Sequence, residues 1–134
     1  DLSSVFNMVR PVIEGMRALA DEGHAIIGLG LNPISAEAMA RAGATSTETA
    51  PQVIHRQLHA ADMIVGSLSL LMPGAMLGEV TPVLAQVVLA SPAKKLLLPV
   101  NKRQVEVVGA EGRTLDALID HAVQRIAVLL RSAG

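Results

Sequence analysis

The chain contains no cysteine, no tryptophan and no tyrosine, and its one aromatic residue is Phe6. Without cysteine there are no disulfide staples, no thiolate metal ligands and no cysteine nucleophile. Such a composition fits a reducing cytosol. Without aromatic platforms the chain cannot stack successive bases as single-strand nucleic-acid binders do. A dominant charge is missing too: eleven basic residues meet twelve acidic ones, for a net charge of −1. That balance attracts neither nucleic acid nor an anionic membrane surface. No charged segment followed by an apolar run opens the sequence, so no secretion signal is expected and a cytoplasmic location is. The first residue is Asp1 rather than Met, which suggests a processed or truncated start.

What remains is aliphatic. The 134 residues are 51% hydrophobic, enough for a core of Val, Leu, Ile, Ala and Met in one domain spanning 1–134. Mean hydropathy is high, at +0.46. Residues 63–78, MIVGSLSLLMPGAMLG, are uncharged. This run is shorter than the roughly 20 residues of a spanning helix. Gly66, Pro73 and Gly74 interrupt it, and no Trp or Tyr anchors flank it. A buried strand with the loop that follows is the better reading, and no membrane association is expected.

Two kinds of segment alternate along the chain. HAIIGLG (24–30), DMIVGSL (62–68), KKLLLPV (94–100) and QVEVVGA (104–110) are short apolar runs, expected as strands buried on both faces of a parallel sheet. Between them lie helical stretches. PVIEGMRALADEG (11–23) places Pro11 at a first helical position and Gly23 at a C-terminal cap. Ser35 is expected to cap 36–44, with Glu37 in the first turn. Pro51 opens 51–61, and Thr81 caps the helix that Pro82 opens. In the last helix Leu115, Leu118, Ile119, Ala122, Ile126 and Leu129 share one face. This order describes an α/β sandwich with a mainly parallel sheet. NKRQ (101–104) is short enough to turn a hairpin and make the fourth strand antiparallel.

Open α/β sheets bind ligands at the carboxyl ends of their strands. There the sequence places Gly30, Asn32 and Ser35, then Ser67, Ser69, Glu79 and Thr81, then Asn101, Lys102 and Arg103. Such a rim suits a small polar or anionic ligand. Glu79 is the one ionisable residue between Asp62 and Lys94. It could carry a proton, or it could cap the helix that begins at Pro82. GLGLN (28–32) is not a full Gly-x-Gly-x-x-Gly motif, and its glycines suit close helix–sheet packing. Asn32 before Pro33 fits a turn, or a hydrogen bond to a ribose or amide. Lys102 and Arg103 with Asn101 could hold a phosphate or carboxylate, or form a solvated turn. His55 and His59 share a helix face, but Arg56 stands where a zinc protease needs Glu. Ser67 and Ser69 lack a nucleophile elbow.

The segments GLGLN…AMARAGA, ADMIVGSLSLLMPGAMLGEVTP, SPAKKLLLPVN and VEVVG resemble a family of short bacterial proteins of unknown function, domain of unknown function three-eight-four-two. The similarity runs from about residue 24 to about residue 125, in order and with similar spacing. It implies a three-layer Rossmann-like sandwich and supplies no reaction. It also implies a first strand with a glycine-rich, phosphate-cradling loop. Here no glycine precedes Gly15, so that strand is expected to be missing, with Asp1 at its end. Leu31 stands where the family carries Thr, and Lys102-Arg103-Gln104 where it carries Arg-Cys-Asn.

The leading expectation is a small-molecule binding module for a nucleotide or other phosphorylated ligand. Asn32, Glu79, Thr81 and Asn101 would line its crevice and Lys102 would neutralise charge. No metal is expected. The aliphatic surface suggests a homo-oligomer. The rival expectation is a non-catalytic structural or regulatory subunit that assembles through residues 63–90. An enzyme using Glu79 as general acid or base is a third.

Overall fold

Glycine and proline punctuate this chain, and the computed structural model follows that punctuation through residues 2–99 and 105–133. Side chains are described for 10–99 and 105–132. Helix α1 (Leu2–Asp21) starts well before the expected position and carries Pro11 inside it. A proline within a helix removes one hydrogen bond. The helix is held by a face on which Val12, Ile13 and Leu19 are buried. It ends as expected at Gly23, whose φ of 94° lets its N–H and that of His24 return to the carbonyls of Ala20 and Leu19.

Strand β1 (Ile27–Leu29) leads into α2 (Pro33–Ala42). Asn32, not Ser35, is the N-cap, and Pro33 takes the first helical position. Glu37 therefore lies past the first turn, where it pairs with Arg41. Strand β2 (Ser46–Glu48) was not anticipated: it is three polar residues long. Next come α3 (Pro51–Ala60), β3 (Met63–Ser67), a 3-10 turn (Leu68–Leu71), α4 (Pro82–Ala90), β4 (Lys94–Leu98) and α5 (Leu115–Ala133). Residues 63–78 are thus a strand, a turn and a loop. Among the described residues no helix is long and apolar enough to cross a membrane.

The class is α/β, with parallel pairing throughout the described strands. The strands do not form one sheet among the described residues: β1 pairs with β2, and β3 pairs with β4. Over 105–110, the described part of the strand expected at 104–110, no strand is formed. Val105 is a lone bridge residue, Ala110 N–H turns back to Val107 O, and Val108 is 88% exposed. Gln104 and the expected hairpin at 101–104 lie outside the described residues.

Helices cover both faces of β3–β4. On one side Met63 and Val65 pack against Val12 and Leu19 of α1 and Ile119, Ala122 and Ile126 of α5. On the other, Ile64 packs against Ile54 and Leu58 of α3 and Leu84, Ala85 and Val88 of α4. Alternate strand residues point to opposite faces, so one apolar run serves both layers. Beside β1, Ile26 joins Ile13, Met39 and Ala42, whereas Leu29 reaches the α3–α4 cluster.

Candidate functional site

Asn32 follows β1 by three residues, and Glu79 lies in the loop after β3. They meet across 47 positions of sequence: Asn32 Nδ2 donates to both Glu79 oxygens, at 3.2 Å each. The other end of the same amide is occupied as well, since Oδ1 accepts from Ser35 N–H at 2.8 Å. That cap fixes the orientation of the amide. A backbone N–H needs an acceptor, so the oxygen faces Ser35 and the amino group faces the carboxylate. The contact ties the loop after β1 to the loop after β3.

The loop carrying Glu79 is closed by its own backbone. Gly74 N–H donates to Val80 O at 2.8 Å, Val80 N–H to Ala75 O and Glu79 N–H to Met76 O. Ala75 and Val80 are buried and anchor it in the core. Between them the chain turns through a left-handed stretch: Met76 and Leu77 both have φ of 56°, and Gly78 has 87°. Only glycine adopts this region freely, and other residues give up roughly 1–2 kcal/mol each. This turn brings the carboxylate back toward Asn32 instead of letting it follow Leu77 into solvent.

Behind the pair lies a cavity of about 840 Å3, lined mainly by aliphatic side chains from α1, α3, β1 and β3. Asn32, Ser35, Ser67 and Glu79 are among its polar groups at the carboxyl ends of the strands, and His24, Gln57 and Asp62 lie toward the other end. Glu79 is partly buried. A carboxylate offers about four lone-pair sites, of which the Asn32 amide occupies two. The remaining ones can accept from hydroxyl or amine donors of a ligand.

Other sequence candidates fall elsewhere. Thr81 is the N-cap of α4: it is exposed, accepts from Leu84 N–H at 3.0 Å and does not line the cavity. Asn101, Lys102 and Arg103 lie outside the described residues. Ser67 and Ser69 bond each other at 2.8 Å and shape the 3-10 turn. Gly28 and Gly30 serve close packing: a Cβ on Gly30 would come within 2.7 Å of Ala36 N, and one on Gly28 within 2.9 Å of Met39 Cβ. His55 and His59 lie on α3, and no three candidate ligands converge on a metal position among the described residues. The double role of Asn32 was missed. Its signal was present in Asn32-Pro33, where proline at the first helical position makes the preceding asparagine the cap. Nothing in the sequence marks Met76 and Leu77 for left-handed backbone.

No curated protein and no solved structure matches the chain. A family model does match, over residues 7–131. It spans α2, the loop that carries Glu79 and nearly all of α5, and so the chain belongs to the family described as Domain of unknown function (DUF3842).

Proposed function

We propose that the chain is a small-molecule binding module of Rossmann-like type that takes a nucleotide or other phosphorylated ligand at the carboxyl ends of its strands. The observation that carries this reading is the Asn32–Glu79 pair lining a mainly aliphatic cavity. A carboxylate held by a neighbouring amide is a ready acceptor for a pair of ligand hydroxyls, the role that acidic residues play toward ribose in dinucleotide-binding folds. Like charge keeps a phosphate away from Glu79. Lys102, outside the described residues, is the cation the sequence offers for it.

The test is thermal unfolding followed by circular dichroism, with a panel of nucleotides and sugar phosphates. A ligand at a hundred times its dissociation constant adds about 2.7 kcal/mol of stability. Glu79→Gln keeps an oxygen for Asn32 yet loses the charge. It is expected to leave unliganded stability nearly unchanged and to abolish the ligand-induced shift. A panel that moves nothing refutes the reading.

A second reading rests on a different observation. Leu77, Val83 and Leu89, all within 63–90, are 82%, 57% and 62% exposed. A non-catalytic subunit that assembles through this surface predicts an unfolding temperature that rises with protein concentration and ignores the ligand panel.

A further inference from the structure

Ser67 is the last residue of β3, and Ser69 stands two residues on in the 3-10 turn. They are 8% and 5% exposed, so neither hydroxyl can trade its partners for bulk water. The hydrogen bonds around them can be counted. Ser67 Oγ accepts from Ser69 N–H at 3.1 Å and from the Ser69 hydroxyl at 2.8 Å. Each hydroxyl carries one proton, and the bond between the two oxygens uses one of the pair. The second proton has no acceptor among the described residues. A buried donor without a partner bears the whole loss of its hydration. With both lone pairs of Ser67 Oγ taken, the spare proton is its own. Of the two serines, Ser67 is the one that lines the cavity with Asn32 and Glu79.

The spare proton is not a missing rung of the sheet. Side chains leave a strand roughly at right angles to the plane in which neighbouring strands exchange hydrogen bonds. Ser67 shares its face of β3 with Met63 and Val65, which pack against α1 and α5. A strand laid beside β3 pairs with its backbone and leaves this hydroxyl as it is.

We infer that Ser67 is a ligand-binding residue: its hydroxyl donates to a phosphoryl oxygen of the molecule whose hydroxyls Glu79 accepts. The inference rests on the small-molecule reading above and assigns the group that meets the other part of the ligand. Glu79 offers acceptor sites and repels a phosphate, whereas Ser67 offers a donor and carries no charge. Ser67 opens the segment between β3 and α4, Glu79 nearly closes it, and both line one cavity. A molecule with vicinal hydroxyls and a phosphoryl group satisfies both residues at once. The relay from the Ser69 hydroxyl through Ser67 to an anionic oxygen polarises each bond in turn, which makes Ser67 a stronger donor than a lone serine.

The probe is ribose 5-phosphate, which carries both functions, and the comparison is ribose, which lacks the phosphoryl group. Amide resonances of the unmodified chain are followed through a titration at millimolar sugar, the range expected of so small a ligand. The Ser69 amide reports on Ser67, because its N–H donates to Ser67 Oγ. Ribose 5-phosphate is expected to shift the amides of Glu79 and Ser69, whereas ribose leaves Ser69 unmoved. Ser67→Ala is expected to weaken ribose 5-phosphate about tenfold, through the loss of one hydrogen bond to a charged oxygen. Ser69→Ala keeps the Ser67 hydroxyl and is expected to stay within about threefold of the parent, since it loses only the relay. Should Ser67→Ala fail to fold, the Ser69 amide of the unmodified chain decides. Ribose 5-phosphate that shifts Glu79 but not Ser69, or that binds Ser67→Ala as tightly as the parent, overturns the inference and leaves the small-molecule reading standing. So does silence toward ribose 5-phosphate from a chain that the nucleotide panel stabilises. Silence in both tests overturns that reading as well.

Discussion

Asn32 joins two loops because both ends of its amide are used. The oxygen caps α2 and the amino group holds Glu79. Replacement by aspartate separates the two roles, since aspartate caps a helix as well as asparagine does but presents a second negative oxygen to Glu79. Asn32→Asp is therefore expected to destabilise the fold by about 1–2 kcal/mol, the scale of a lost charge-assisted hydrogen bond at a partly buried site. Adding Glu79→Gln supplies an amide donor opposite the new carboxylate and should restore most of that loss. Denaturant unfolding of the four proteins measures that restoration, and a double variant no more stable than Asn32→Asp alone would mean that the two side chains do not meet. The two partners were legible in the sequence to different degrees. Glu79 stood out as the lone ionisable group in a long apolar stretch, and Asn32 by its proline. That they touch was not legible, because the contact spans 47 residues and depends on the left-handed turn at Met76. Thr81 was legible as a cap because capping is local.

The elements best read from sequence are those whose signals lie within a few residues. Thr81-Pro82 fixed the start of α4, Pro51 that of α3 and Gly23 the end of α1. Tertiary packing decided the rest. Helix α1 runs through Pro11 against its local preference. β2 carries no apolar pattern and exists because its backbone pairs with β1. VEVVG has strand composition, yet Val108 lies exposed in a turn. The loop 72–80 is the clearest conflict between local preference and fold. Leu77 is 82% exposed at φ 56°, so its side chain repays little of the strain. Leu77→Gly removes about 1–2 kcal/mol of backbone strain and gives back roughly 0.5–1 kcal/mol in unfolded-chain entropy. The variant is expected to melt a few degrees higher, measured at low micromolar concentration to keep association out of the comparison. A lower melting temperature would show that the exposed leucine side chain stabilises the loop.

At the scale of the molecule, the question is whether copies of the chain associate, and a standard interface covers about 800 Å2 on each partner. An assembly through residues 63–90 would use the exposed apolar side chains of Leu77, Val83 and Leu89. Self-association through 63–90 predicts a dimer in sedimentation equilibrium at tens of micromolar. It also predicts that Leu77→Glu combined with Val83→Glu shifts the population to monomer, because two carboxylates at an apolar contact leave charges buried without partners. Neither residue lines the cavity beside Asn32 and Glu79, so the double variant should respond to the ligand panel as the parent does. A dimer that survives the double substitution would refute assembly through this surface.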